Sequence, residues 1–168
     1  MNIPRAVLAI AAATAIAVPA EGLRQYAYYD PPGILTVCWG STTDVVANRH
    51  YSIEECRERL EVDMLHAVET VEGCRPGLPE PVLAAFSDAV FNIGPRIACD
   101  LKVSTAARML KEGRYREACD QLPRWDKAKV AGQLVALPGL TKRRAKEREL
   151  CLTGVPDAQG IPSLGGRG

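Results

Sequence analysis

The stretch Glu21-Gly22-Leu23-Arg24-Gln25-Tyr26-Ala27-Tyr28-Tyr29-Asp30-Pro31-Pro32-Gly33-Ile34-Leu35-Thr36-Val37-Cys38-Trp39-Gly40 decides how the chain is read. Asp30-Pro31-Pro32-Gly33 ends any helix and forms a turn, because proline fixes φ and lacks the N–H that helices and ladders use. Pro31 also confines Asp30 to extended backbone. Ile34 to Trp39 is rich in strand formers and stops at Gly40. A small antiparallel ribbon is therefore expected here. Glu21, Leu23 and Arg24 are expected on a short helix that includes the alanines just upstream.

Those alanines belong to an unusual segment. Arg5 is followed by fifteen residues without a charge, Ala6 to Ala20, and eight of them are alanine. A positive tip before a short apolar run is the pattern of a secretory signal, and Val18-Pro19-Ala20 could serve as a small-residue cleavage site. A bilayer span needs about 17 to 25 apolar residues, so a run this short and Ala-rich would be held weakly. Three readings stand open: a cleaved signal, a retained and weakly held membrane segment, or a buried helix. The six cysteines, Cys38, Cys56, Cys74, Cys99, Cys119 and Cys151, all lie outside the run. An even number in a small exported chain suggests disulfides, and six allow about 15 complete pairings.

Downstream of the ribbon the chain turns helical. Ser52 with Glu55 three residues later forms a capping-box pattern. Ile53, Cys56, Leu60, Met64, Ala67 and Val71 recur at helical steps and predict one apolar face, with an acidic, solvated face opposite. Gly73 is placed to end this helix. Pro81 fits the first turn of the next, which buries Val82, Leu83, Phe86, Ala89 and Val90 and stops near Gly94. Further helices are expected from Ser104 or Thr105 to Lys111, from Tyr115 to Leu122 with Pro123 as the stop, and from Thr141 to Leu152. The result is an α+β class: a small ribbon near the start, then a mostly helical lobe. Three regions follow: a signal or anchor segment over 1–20, a folded domain over 21–153, and a loose tail over 154–168 with five glycines and two prolines.

Composition removes several function classes. The 168 residues carry 21 Lys or Arg against 20 Asp or Glu, too even for wholesale nucleic-acid electrostatics. Aromatics at 5% do not make a base-stacking surface. His50 and His66 have no metal-ligand or base pattern, and no HExxH, phosphate loop or nucleophile elbow is present. The cysteine spacings fit neither zinc nor iron–sulfur sites. No cofactor and no metal are expected. The basic residues Lys142, Arg143, Arg144, Lys146 and Arg148 read as a solvated helix face rather than a phosphate-binding one.

The chemistry that remains is carboxylate chemistry. Glu21 and Asp30 lie on differently built elements and could face each other across a cleft, with Thr36 holding a water between them. Glycosidic hydrolysis uses such a pair: one carboxyl keeps its proton, the other stays ionised. Eight residues separate Glu21 from Asp30, and five separate Asp30 from Thr36.

With its surrounding letters, this stretch resembles the catalytic segment of the phage-type lysozymes, the endolysins related to the T-even phage enzyme. The resemblance continues at Phe91-Asn92-Ile93-Gly94, at Gln121-Leu122-Pro123-Arg124-Trp125, and from Pro138 through Cys151. It implies a lysozyme-like fold and an N-acetylmuramidase that cuts the β-1,4 bond of peptidoglycan with inversion. It implies Glu21 as general acid, Asp30 with Thr36 as the groups that orient the water, and Asn92 and Tyr28 beside the glycan. It implies structural roles for Gly33 and Gly40 and an ion-pair network of Arg143, Arg144 and Glu147.

The apolar run resembles the signal-anchor-release segments of one subgroup. That implies export, tethering at the host inner membrane through residues 6–20, release into the periplasm, and a monomer that needs only peptidoglycan. This run carries no cysteine, so activation by disulfide exchange within the anchor is closed to it. Two rival functions are a catalytically inactive peptidoglycan-binding protein and a membrane-disrupting lysis protein.

Overall fold

The computed structural model describes residues 3–30, 33–130 and 132–156. Helix α1, Ile3–Glu21, is followed by strands β1, Arg24–Tyr29, and β2, Leu35–Cys38. Then come α2 (Ile53–Cys74), α3 (Glu80–Ile93), α4 (Arg96–Cys99), α5 (Thr105–Lys111) and α6 (Tyr115–Cys119). A 3-10 turn, Leu122–Trp125, leads to a second hairpin, β3 (Lys127–Val130) with β4 (Gln133–Ala136), and α7 (Pro138–Thr153) closes the order. The class is α+β, with a small antiparallel hairpin ahead of a mostly helical lobe.

Helix α1 ends where the chain needs a left-handed residue. Gly22 sits at φ +72°, so Leu23 and Arg24 leave the helix instead of extending it, contrary to the sequence expectation. β1 and β2 pair antiparallel, Tyr28 opposite Thr36 and Tyr29 opposite Leu35, with an irregularity between Arg24 and Tyr28. Asp30 anchors the turn between them: Oδ1 accepts the Ile34 N–H at 2.7 Å, and the Gly33 N–H donates to the Asp30 carbonyl at 2.8 Å. Gly33, at φ +86°, supplies the turn conformation. Pro31 and Pro32 lie outside the described residues.

The capping box forms as the letters require. The Glu55 N–H donates to Ser52 Oγ at 3.1 Å, and the Ser52 N–H donates to Glu55 Oε2 at 2.8 Å. α2 buries Cys56, Leu60, Met64, Ala67, Val68 and Val71. Ile53, expected on that face, is exposed at the first turn, and the helix runs one residue past Gly73. Pro81 occupies the first turn of α3, and Ser104 Oγ caps α5 by accepting the Ala107 N–H at 3.0 Å. α6 stops at Cys119, before Leu122, and Pro123 sits inside the following 3-10 turn.

Two cores result. The large one joins α1, α2, α3, α4, α5, α6 and α7 around Phe86, Leu83, Ile97, Met64 and Leu122. The small one holds Val37, Cys38, Tyr51 and Cys56 beneath the ribbon. Three disulfides select one pairing from those the sequence left open: Cys38–Cys56, Cys74–Cys99 and Cys119–Cys151. They tie β2 to α2, α2 to α4, and α6 to α7.

Helix α1 is docked. Ala9, Ala13 and Ala17, four residues apart, are fully buried, and the helix packs chiefly on α3, with lesser contact to α2 and α7. Methyl side chains at this spacing let two backbones approach closely. The tail begins packed: Val155 lies against the large core and Gly154 against Pro81, where a Cβ would come within 2.9 Å. The looseness expected of residues 157–168 lies outside the described residues.

Candidate active site

Glu21 is the last residue of α1, and three elements converge on its carboxylate. From α3, Asn92 Nδ2 donates to Glu21 Oε1 at 3.2 Å. From α7, Arg143 Nη1 donates to the same oxygen in an ion pair. From the ribbon side, Gly40 lies beside Oε2: a Cβ there would sit 3.6 Å from it. Gly40 holds φ +88°, so the close approach and the backbone both suit glycine. One oxygen thus takes both donors. The other faces the residue that follows the ribbon. The Glu21 side chain keeps 25% of its exposure, whereas Arg143 keeps 3%.

Behind Glu21 lies a buried charged layer. Arg143 Nε and Nη2 donate to Asp88 Oδ2 and Oδ1 at 2.9 and 2.8 Å, a bidentate pair fully removed from water. Arg144 Nη2 donates to Asn92 Oδ1 at 2.8 Å, which fixes the amide with Nδ2 toward Glu21. Arg144 also stands 2.6 Å from Glu147 Oε1, off the line of a hydrogen bond, and both Glu147 oxygens are buried without one. Burial works to lower the Arg143 pKa, but hydrogen bonds and charge from Asp88 and then Glu21 outweigh it, and the guanidinium is held more firmly protonated than usual. Burial, reinforced by Asp88, pushes the Glu147 carboxyl well up, so it keeps its proton into a range where carboxylates are ordinarily charged. Burial lowers Arg144.

The structure brings Arg143, Arg144 and Glu147 together, and Arg143 reaches Glu21. The reading of all five basic residues of α7 as a solvated face is corrected for two of them: Arg143 and Arg144 are buried. Asp88 and Ser87 were missed. Both are fully buried on α3, and a charge inside the apolar run Val82 to Phe91 was the available signal.

The ribbon carries the other expected residues. Asp30 stands at its turn. Thr36 is buried on β2, its hydroxyl donating to the Ile34 carbonyl at 3.0 Å and leaving its lone pairs to accept. Tyr28, half-buried across from Thr36, carries the Arg24 guanidinium 4.4 Å from its ring centre. His50 and His66 are exposed, and no group of three or more possible metal ligands occurs among the described residues.

The phage lysozyme family profile matches residues 19–147, which include the whole of this arrangement. The chain belongs to the phage lysozyme family. Among its relatives is a SAR-endolysin of Bacteriophage PS119, 35% identical over 136 residues that make 80% of this chain and 77% of that protein. Among solved structures, the active form of the P1 phage endolysin Lyz has a TM-score of 0.73 at 27% identity, covering 88% of this chain and 86% of that one. The muramidase domain of SpmX from Asticaccaulis excentricus has a TM-score of 0.74 at 31% identity, covering 84% and 95%. This phage lysozyme is an endolysin that hydrolyses peptidoglycan, of the kind that resembles the SAR-endolysins.

Proposed function

We propose that Glu21 is the general acid, that Asp30 and Thr36 orient the attacking water, and that the bond cut is the β-1,4 linkage between N-acetylmuramic acid and N-acetylglucosamine. The observation that carries the reading is the asymmetry at Glu21: Oε1 takes both donors and Oε2 takes neither, beside Gly40. A carboxyl held by one oxygen is fixed in direction and can give a proton from the other. Asp30, tied by one oxygen to the Ile34 N–H, keeps acceptor capacity for a water, and the lone pairs of Thr36 can steady it. The reading requires inversion, with about 6.5–9.5 Å between the two carboxyls for that water to enter. Asn92 shapes the helical side of the cleft and Tyr28 the ribbon side. Gly33 and Gly40 hold the turns, and the enzyme acts as a monomer on peptidoglycan, without nucleic acid.

Glu21→Gln tests it. The variant should still sediment with purified sacculi but release reducing sugar at least about a thousandfold more slowly, the loss expected when the proton donor of a glycosidase is removed. Lysis at the parental rate would overturn the assignment. A product anomer retained rather than inverted, read by NMR in the first minutes of reaction, would remove Asp30 as the water-orienting group.

We also infer that α1 is an anchor first and a core helix later: it tethers the enzyme at the inner membrane, facing the periplasm, and then docks. Its window Pro4–Glu21 is long and apolar enough to cross a membrane, yet only 28% of it is buried in the folded body. While α1 is in the bilayer, Glu21 stands at its edge, away from Asn92 and from the Nη1 of Arg143. Docking brings the three together. None of the three disulfides involves α1, so the covalent framework can close while the helix is still in the membrane. Mass spectrometry of the periplasmic protein should find residues 1–20 retained; a chain starting at Glu21 would sink the anchor reading.

A further inference from the structure

We propose that Asp88 is a positioning residue for the general acid: by holding two of the three guanidinium nitrogens of Arg143 in a buried bidentate pair, it leaves only Nη1 to reach Glu21 and offsets the charge that the arginine brings there. The inference rests on the reading of Glu21 given above. It answers a difficulty in that reading. An arginine in direct contact with a carboxyl ordinarily stabilises the ionised form, the wrong form for a proton donor.

The geometry divides the arginine. Nε and Nη2 are spent on Asp88, both along good hydrogen bonds, and only Nη1 reaches Glu21. Among the described residues the charged groups that face Arg143 are Glu21 from α1, Asp88 from α3, and Arg144 and Glu147 from its own helix. Arg144 is turned to Asn92 and Glu147 rather than to Glu21. Glu147 is buried and its Oε1 stands 2.6 Å from Arg144 but 3.6 Å from Arg143, so its closer pairing is with Arg144. Asp88 is then the carboxylate that offsets Arg143. It touches neither Glu21 nor any path to solvent, which is why it positions rather than reacts. Phe91 closes the remaining side, its ring centre 5.7 Å from the Arg143 Cζ.

The sign of the effect follows. Removing the Asp88 charge with its shape kept leaves the full Arg143 charge on Glu21 and favours loss of the Glu21 proton. In Asp88→Asn the alkaline limb of the rate of reducing-sugar release should move to lower pH by about one unit, the displacement expected of one nearby unit charge. Activity at neutral pH should fall about tenfold while the rate on the acid side changes by less than about threefold. A merely structural role would lower the rate at every pH alike, and that result, or an unmoved limb, overturns the proposal. Glu147→Gln, in the same buried layer, should leave the limb in place; an equal displacement there would remove Asp88 from its assigned role.

Should Asp88→Asn fail to fold, the parent chain answers the question. Carboxyl carbon NMR at the pH of greatest activity should show Asp88 ionised, and a protonated Asp88 would overturn the proposal. Glu21→Gln separates this from failure of the underlying reading. If that variant remains lytic, the general-acid assignment falls. If it is inactive and the limb of Asp88→Asn has not moved, only the present inference falls.

Discussion

Helices α1 and α7 both supply a residue to the same carboxylate contact, and they are built in opposite ways. Between Arg5 and Glu21, α1 carries no charge on any side, yet much of it faces water: Val7 and Leu8 are 57% and 55% exposed. α7 is dense in charge, yet Arg143, Arg144 and Glu147 are among the most deeply buried side chains of the molecule. Hydrophobicity does not decide which helix is inside. α1 buries a stripe of alanines and leaves the rest over, an open groove against α2 lined by Val7, Ile10, Val18, Val62 and Leu65. A helix selected only for the body of a soluble protein would have polar residues there. α7 buries charges because each has a partner across α3 or along its own turns, apart from the imperfectly satisfied Glu147 and the free nitrogens of Arg144.

The sharpest way to break this comparison is to remove a charge from α7. Arg143→Met keeps length and apolar volume but leaves Asp88 fully buried without its partner. Breaking one side of such a pair costs about 3–5 kcal/mol. Urea unfolding should show that loss. Arg148→Met, a few residues along the same helix, removes only an exposed pair with Asp120 and should cost less than about 1 kcal/mol. Equal losses in the two variants would mean that the buried layer is no different from the surface of α7.

The two helices also differ in how well they could be read. The stripe Ala9, Ala13, Ala17 has helical spacing, but alanines occupy so many other positions in the run that no face stood out. The sequence therefore leaves a cleaved signal, a membrane segment and a buried helix as alternatives. Ser52 and Glu55 located the start of α2 because a cap is a local contract between neighbours, decided within one turn. The β3–β4 hairpin is poorly marked in the sequence: β4 is exposed at every position, and β3 offers only four residues in which an alternation could show. Helix α4 is four residues long, too short for any period to show. At the site, Glu21, Asp30 and Thr36 were legible as a spaced motif. Asp88 was not, because its meaning depends on Arg143, 55 residues away.

A second comparison lies within α1, between its two faces. Ala13 is fully buried against the large core. Ala13→Leu adds three carbons at a fully buried position of the docked helix, and overpacking of this kind costs about 1–3 kcal/mol. The cost falls on docking and not on the covalent framework, since no disulfide reaches α1. The variant should therefore lose activity more steeply than it loses the far-UV signature of the helical lobe. A variant equally active and equally stable would mean that α1 does not need its alanine stripe.

The opposite face should behave in the opposite way. Val7 is exposed in the docked state and touches the open groove, so Val7→Ser removes little that the folded body uses. Its unfolding free energy should stay within about 0.5 kcal/mol of the parent, the range of surface changes away from special features. The same substitution takes a β-branched apolar residue out of a segment that is barely apolar enough to hold a bilayer. If the exposed face of α1 exists for the membrane, Val7→Ser should lower the fraction of enzyme that sediments with the inner membrane before lysis and should bring lysis forward. If the face is packed in some way that the groove conceals, the variant will instead unfold more readily and leave the membrane fraction unchanged. One side chain thus separates the two demands on α1, because the body and the bilayer ask for different faces of the same helix.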